Sequence, residues 1–151
     1  MADVVNEVTV EGGLLVGHDG SAAAGEAVRW AADLAAELGE PLHVLRAWAL
    51  LNAPEPASKV GGFIPPMADW EAAVRADLAA DVEALGLSGA VHLHVAHAQS
   101  SAALLHAAAG ARMLVVGRRG AGGFRGLGFG STADQVVRHS PCPVIVVPVG
   151  S

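Results

Sequence analysis

The chain has 151 residues, of which 52% are hydrophobic, and this length and composition predict one domain over residues 1–151 with a full core. The formal charge of −6 argues against nucleic acid as a general partner, and no apolar run is long enough to span a membrane. The acidic first residues do not resemble a secretory leader, and the single cysteine excludes a disulfide scaffold, so we expect a soluble, cytoplasmic protein.

Short β-type runs alternate with longer helical runs along the chain. The apolar runs predict five strands, at residues 13–19, 41–48, 91–96, 112–117 and 143–148. Apolar residues at helical spacing predict four helices, from Ser21 to about Leu38, over about 70–85, over about 100–109 and over 131–140. The segment 50–66 is rich in proline and glycine, which predicts a surface loop.

Strands that alternate with helices indicate a parallel sheet with helices on both faces, so we expect a doubly wound α/β fold with five strands. Ligands of such sheets bind beyond the carboxyl ends of the strands, where the winding reverses. The first and fourth strands each end in a polar turn that opens into a helix, "VGHDGS" and "VVGRRG". We expect these two strands to be neighbours at the point of reversal.

The segment "VVGRRGAGGFRGLGFGST" contains seven glycines and three arginines. Such a segment is either a flexible linker or a backbone that approaches another group closely, and its place between two core strands favours close approach. Three of its glycines have a defined spacing: two residues separate Gly117 from Gly120, and nine separate Gly120 from Gly130. Ser131 and Thr132 follow at a predicted helix start. Exposed backbone N–H groups and a helix N-terminus together predict an anion site.

The charge distribution agrees with an anion site in this segment. Residues 1–83 have 14 acidic and four basic side chains, whereas residues 84–151 have one acidic side chain and five arginines. The segment matches neither the P-loop pattern nor Gly-x-Gly-x-x-Gly. Ser131 and Thr132 could also be helix N-caps, and capping and phosphate binding use the same geometry. Arg118 and Arg125 are as well explained by solvation as by binding.

These motifs resemble the universal stress protein family in its ATP-binding form. The resemblance covers about residues 12–149 and is carried by "GLLVGHDGS", the Gly117–Ser131 motif and "GSTADQVVRHSPCPVIVVP". It implies a Rossmann-like fold of the adenine nucleotide alpha-hydrolase type and an adenine nucleotide as ligand, specifically ATP with Mg²⁺. It also implies a homodimer through the fifth strand, whose apolar edge would otherwise be uncovered.

The resemblance also implies the roles of individual residues. In the family, the glycine motif and the following hydroxyl residues hold the phosphates, an aspartate after the first strand contacts the nucleoside, and the end of the second strand contacts adenine. The corresponding nucleotide-binding residues of this chain are Asp19, Ala47, Gly117, Arg119, Gly120, Gly130, Ser131 and Thr132. Arg118 and Ala98 depart from the family pattern. Asp19 is also well placed to form a turn before a helix.

Three functions remain open on this pattern. The first is a nucleotide-dependent regulatory or stress-response protein that binds ATP. The second is a slow ATPase or other adenine nucleotide hydrolase, for which only the arginines and His18 are candidates, so we assign no catalytic residue. The third is an AMP or cyclic AMP sensor that uses the same crevice.

Seven histidines raise the question of a metal site. His92 and His94 share one strand face, while His97 lies on the opposite face if the strand continues. This arrangement favours the exposed face of an edge strand, and we assign no metal ligand. His18 lies near the predicted site and could equally be a packing residue.

Overall fold

The structure is a computed structural model that describes residues 4–119 and 129–148. Within these ranges the strands are β1 (Leu14–His18), β2 (Leu42–Trp48), β3 (Val91–His97), β4 (Met113–Gly117) and β5 (Val144–Val147). The helices are α1 (Ala22–Leu38), α2 (Met67–Glu83), α3 (Ser100–Ala108) and α4 (Ser131–His139). The five strands and four helices predicted from the sequence are therefore confirmed.

The five strands form one parallel sheet in the order β3-β2-β1-β4-β5. The chain winds outward from β1 through β2 to β3 and then returns to the other side of β1 with β4. The winding therefore reverses between β1 and β4. The prediction that the first and fourth strands are neighbours is confirmed.

Both faces of the sheet are covered by helices, as predicted for a doubly wound α/β fold. Side chains alternate between the faces, so each strand contributes to two apolar cores. The core beneath α1 and α2 includes Leu14, Val16, Val28, Ala31, Val44, Val74, Leu78 and Val95. The core beneath α3 and α4 includes Leu15, Leu45, Ala96, Leu104, Ala107, Leu114 and Val136.

Helix α1 has a defined start and end because its flanking residues satisfy the terminal backbone groups. The Ser21 Oγ accepts a hydrogen bond from the Ala24 N–H at 3.1 Å, which caps the first turn. Gly39 ends the helix with a φ of +67°, a left-handed conformation that favours glycine. The start of α1 is thus held at the carboxyl edge of β1. In the described part of the chain, no helix combines the length and the apolar character needed to cross a membrane.

Candidate functional site

A cleft opens at the carboxyl edge of the sheet, where β1 and β4 diverge. Its deeper part is lined by Gly17, His18, Asp19, Ala24, Leu45, Ala47, Ser100, Leu104, Val116, Gly117, Arg119, Thr132 and Ala133. A wider part of about 900 Å³ extends toward the ends of β2 and β3. Ala47, Ser100 and Thr132 line both parts, so they form one continuous cleft. The wider part alone has the volume of a typical small-molecule site.

The turn after β1 presents Asp19 at one wall of this cleft. The Asp19 Oδ1 accepts hydrogen bonds from the Ser21 N–H at 3.0 Å and from the Ser21 hydroxyl at 2.5 Å. Gly20 between them has a φ of +86°, a conformation that side chains disfavour. The interpretation of Asp19 as a turn residue is therefore confirmed, and the same turn brings it to the cleft.

Backbone hydrogen bonds join the described residues on either side of the glycine-rich segment. The Arg118 N–H donates to the Val147 carbonyl at 2.8 Å, and the Gly130 N–H donates to the Arg118 carbonyl at 2.8 Å. The start of α4 therefore lies next to the end of β4. Gly120 and Arg125 belong to residues 120–128, which lie outside the described part of the chain.

Helix α4 begins in a way that differs from the N-cap interpretation of Ser131 and Thr132. Gly130 is the N-cap residue, with a φ of −67°, and no side chain of the described residues caps the first turn. Ser131 and Thr132 are the first two helical residues and line the cleft. Because Gly130 has no side chain, it cannot cap the N–H groups of the first turn itself, and such groups at a helix start can bind a ligand.

Most of the predicted site residues lie together around the cleft. Asp19, Ala47, Gly117, Arg119, Ser131 and Thr132 line it, and Gly130 directly precedes Ser131. Helices α1 and α3 begin at this edge of the sheet because each follows its strand after a short turn, and α4 begins there because Gly130 pairs with Arg118 at the end of β4. The positive ends of their dipoles and the Arg119 guanidinium favour an anionic ligand.

Sequence reasoning missed the contribution of the turn after β3. Gln99, Ser100 and Ser101 line the cleft at the start of α3, and Asn52 lines its wider part from the loop after β2. The segment "HAQSS" follows a strand and opens a helix, as the turns after β1 and β4 do. This turn therefore carries the same signal in the sequence as the turns after β1 and β4.

His18 is buried at the end of β1, with its side chain only 1% exposed. Its Nδ1 accepts a hydrogen bond from the Gly20 N–H at 2.9 Å, which leaves the ring proton on Nε2. The Nε2 lies 3.8 Å from the Asp81 Oδ2 of α2. Burial lowers the pKa of His18, and the nearby Asp81 carboxylate only partly opposes this shift. The ring is therefore neutral at neutral pH.

Three histidines form a cluster on β2 and β3, away from the cleft. β3 is the edge strand, as predicted, and His92 is exposed on it. His43 of β2, which the sequence did not single out, stacks on His92 at 5.1 Å between ring centroids. The His43 Nδ1 lies 3.0 Å from the His94 Nε2. Burial lowers the pKa of both His43 and His94, and repulsion from neighbouring histidines adds to each shift.

This cluster does not have the geometry of a metal centre. Stacked imidazole rings direct their nitrogens in parallel, whereas metal ligands must direct them at one point. Within residues 4–119 and 129–148, no group of three or more His, Cys, Asp or Glu side chains could hold a metal ion. His97 lies on the other face of β3, as predicted, and its ring contacts that of Trp48.

The parallel sheet, its reversal point and the cleft define a Rossmann-like α/β protein with a ligand site at the carboxyl edge of the sheet. A model of the universal stress protein family matches residues 13–148. The chain therefore belongs to the universal stress protein family.

Individual relatives agree with this assignment. A universal stress protein of Mycolicibacterium smegmatis is 33% identical over 141 residues, which cover 89% of this chain and 45% of the relative. The chain spans slightly less than half the length of the curated relatives it matches.

Solved structures share the fold. A universal stress protein crystallised in complex with cAMP has a TM-score of 0.64 and 23% identity, over 95% of this chain and 100% of the other. A universal stress protein from Archaeoglobus fulgidus in complex with dAMP has a TM-score of 0.54 and 19% identity, over 90% of this chain and 97% of the other.

Proposed function

We propose that this protein binds an adenine nucleotide, ATP with Mg²⁺, in the cleft and acts as a nucleotide-dependent regulatory protein of the stress response. The observation that carries the proposal is the pairing of Gly130 with Arg118, which brings the uncapped start of α4 to the cleft. Free N–H groups at a helix start bind phosphate well. The Asp19 carboxylate lies at the same cleft and can accept hydrogen bonds from a nucleoside.

Each part of the nucleotide has a proposed partner. The N–H groups at the start of α4, the hydroxyls of Ser131 and Thr132 and the Arg119 guanidinium would hold the phosphates. Asp19 would contact the ribose, and the backbone at Ala47 would contact adenine. The lining of the cleft fits Mg²⁺ that is held by the nucleotide phosphates and water, because this ion keeps several waters and needs no cage of protein ligands. When bound, Mg²⁺ would neutralise phosphate charge.

Binding without rapid hydrolysis is the form of the proposal that the site favours. The Asp19 Oδ1 already accepts two hydrogen bonds from Ser21, and His18 is turned toward Gly20 and Asp81. These contacts hold His18 within the fold, which supports binding without rapid hydrolysis. The proposal includes action in the cytoplasm, where ATP is abundant, and a homodimer formed through β5.

A sensor of AMP or cyclic AMP is the second candidate. It is favoured by the two structural neighbours crystallised with cAMP and dAMP, each of which has a single phosphate group. The two candidates differ in how much binding energy the phosphates beyond the first contribute.

Thermal unfolding with a panel of nucleotides distinguishes the candidates. A ligand that binds only the folded state stabilises it by about 2.7 kcal/mol at a hundredfold excess over Kd. We expect the melting temperature to rise most with Mg-ATP, less with ADP and least with AMP and cyclic AMP. The reverse order would support the sensor, and no shift at millimolar ATP would contradict ATP binding. A phosphate-release assay on the same samples tests for hydrolysis.

A further inference from the structure

The turn that carries Asp19 is held in place by the residue before it. The Gly20 N–H donates to the His18 Nδ1 at 2.9 Å, so the imidazole closes the turn from beneath. On the other side, a Cβ at Gly20 would lie 3.1 Å from the Arg46 Nη2, which shows how closely the Arg46 guanidinium packs on the turn. The conformation of this turn therefore depends on both buried side chains.

Helix α2 completes the arrangement. His18 and Arg46 are register partners on β1 and β2, and both are 5% exposed. The Arg46 Nη1 pairs with the Asp77 Oδ2 at 2.6 Å, and the His18 Nε2 lies 3.8 Å from the Asp81 Oδ2. The charged groups that face the imidazole are Arg46 of β2, Asp77 and Asp81 of α2 and Asp19 of the turn.

We propose that His18 is a positioning residue for nucleotide binding, whose neutral ring holds the Asp19 turn in its binding conformation and whose protonation releases that turn. This proposal rests on the proposed nucleotide site. The reason is a change in hydrogen-bonding role. A neutral imidazole accepts at Nδ1, whereas an imidazolium has protons on both nitrogens and accepts at neither. Protonated His18 would place an N–H against the Gly20 N–H.

The surrounding charges determine where a protonated His18 ring would move. A protonated ring is attracted by Asp81 and Asp77 of α2 and by Asp19 of the turn, and it is repelled by Arg46. The attraction to Asp81 is the largest of these, so the net force favours movement toward α2. Loss of the Gly20 hydrogen bond would leave the Asp19 carboxylate less firmly presented to a nucleotide. Acidification should therefore weaken nucleotide binding through His18, with the neutral ring as the competent form.

Two substitutions separate the hydrogen bond from the charge. In His18→Asn, the Oδ1 can accept from the N–H two residues later, as in an Asx-turn, but the side chain does not titrate. In His18→Leu, the ring is replaced by a side chain of comparable bulk that accepts no hydrogen bond. Calorimetric titration of wild type and both variants with Mg-ATP, at several values between about pH 8 and pH 5, measures the effect.

We expect wild type and His18→Asn to bind ATP similarly at about pH 8 and to diverge as the pH falls. The wild-type Kd should rise about three- to tenfold more than that of His18→Asn, the range expected for one hydrogen bond. His18→Leu should bind about three- to tenfold more weakly than wild type at the higher pH. The ATP phosphates also titrate in this pH range, but their effect on Kd is the same for all three proteins and drops out when the proteins are compared.

Other outcomes would overturn the proposal in distinguishable ways. Parallel pH profiles for wild type and His18→Asn would contradict it while leaving nucleotide binding intact. A wild-type affinity that increases on acidification relative to His18→Asn would show that the ring acts only as a positive charge. No binding by wild type at about pH 8 would contradict the proposed nucleotide site itself.

A spectroscopic measurement on wild type covers the case in which the variants fail to fold. The ¹⁵N chemical shifts of the His18 ring distinguish the two neutral tautomers. At about pH 8 we expect the proton on Nε2 and a hydrogen-bonded, unprotonated Nδ1. A proton on Nδ1 would overturn the proposal because that nitrogen could not then accept from Gly20.

Discussion

Gly130 and Ser131 are adjacent at the start of α4, but their proposed contributions to phosphate binding differ. Ser131→Ala removes one hydrogen bond to a charged group, so we expect ATP affinity to fall about ten- to a hundredfold, corresponding to about 1.5–3 kcal/mol. Gly130→Val places a branched side chain against the ligand and should weaken binding further. Calorimetric titration measures both effects, and circular dichroism checks that the variants are folded.

The structure makes this comparison cleaner than the sequence alone could. Gly130 has a φ of −67°, which valine also adopts, so the substitution should not strain the backbone. Ser88→Ala is a suitable control, because Ser88 is exposed in the turn that precedes the amino end of β3. If folded Gly130→Val and Ser131→Ala proteins bind ATP as wild type does, the start of α4 is not a phosphate site.

Arg46 and Asp77 form an ion pair in which one partner is buried and the other is partly exposed. The Arg46 side chain is 6% exposed, whereas that of Asp77 is 45% exposed. Asp77→Asn would leave the buried guanidinium without its countercharge, so we expect it to lower the free energy of unfolding by about 1–3 kcal/mol. Urea denaturation measures this change.

A second ion pair provides a matched control for Asp77→Asn. Asp134 and Arg138 pair one helical turn apart on α4, with both side chains substantially exposed. Asp134→Asn should change the free energy of unfolding by less than about 1 kcal/mol. If Asp77→Asn and Asp134→Asn lower the free energy of unfolding equally, the burial of Arg46 does not strengthen the contribution of its ion pair to stability.

At the scale of elements, the pairing of β2 with the edge strand β3 brings His43, His92 and His94 together. Among the described residues, no carboxylate opposes the lowering of the pKa values of His43 and His94. Because the pKa values of His43 and His94 are lowered in the folded state, folding favours their neutral forms. Their contribution to stability is fully present above the unfolded value of about 6.5 and is lost as the pH falls below it.

This linkage predicts that the β2–β3 pair makes the fold sensitive to acid. Between about pH 8 and pH 5, the melting temperature of the double variant His43→Gln/His94→Gln should fall less than that of wild type, because glutamine does not titrate. His139→Gln, at an exposed position on α4, is the control and should follow the wild-type curve. An equal fall in wild type and the double variant would show that acid sensitivity arises elsewhere.

At the scale of the whole molecule, β5 is the edge of the sheet opposite β3. Leu114 donates its N–H to the Pro143 carbonyl, and Arg118 donates to the Val147 carbonyl. Alternate residues of a strand face the same neighbour, so the backbone groups of Val144 and Val146 point to the open edge. This edge is the surface through which we propose that two copies pair.

The hydrogen-bonding pattern supplies a specific test of the dimer. Val146→Pro removes an outward N–H but no hydrogen bond to β4, so we expect a folded monomer where wild type is a dimer. Val146→Thr retains the N–H at similar size and should remain dimeric. Light scattering at micromolar concentration measures both masses. A monomeric wild type, or a dimeric Val146→Pro protein, would contradict pairing through β5.

Much of the fold followed from local patterns. Periods of two and 3.6 in the apolar residues located the strands and helices, because each period reflects the geometry of one element. The polar turns that end the first and fourth strands indicated the point of reversal, since ligand-binding turns of such sheets lie where the winding reverses. The long second helix was placed less well at its start, where Met67 precedes the predicted boundary without a side-chain cap.

Within the site, the sequence indicated residues that follow a strand or begin a helix, such as Asp19 and Ser131, and the structure places both at the cleft. Tertiary structure alone decided which distant groups meet them. Ser100 joins the cleft from the turn after β3, and Arg46 meets Asp77 across 31 positions of the chain. The physical reason is that periodicity and turn chemistry are local, whereas contacts between side chains on neighbouring elements depend on strand order, register and helix packing, which are properties of the folded chain.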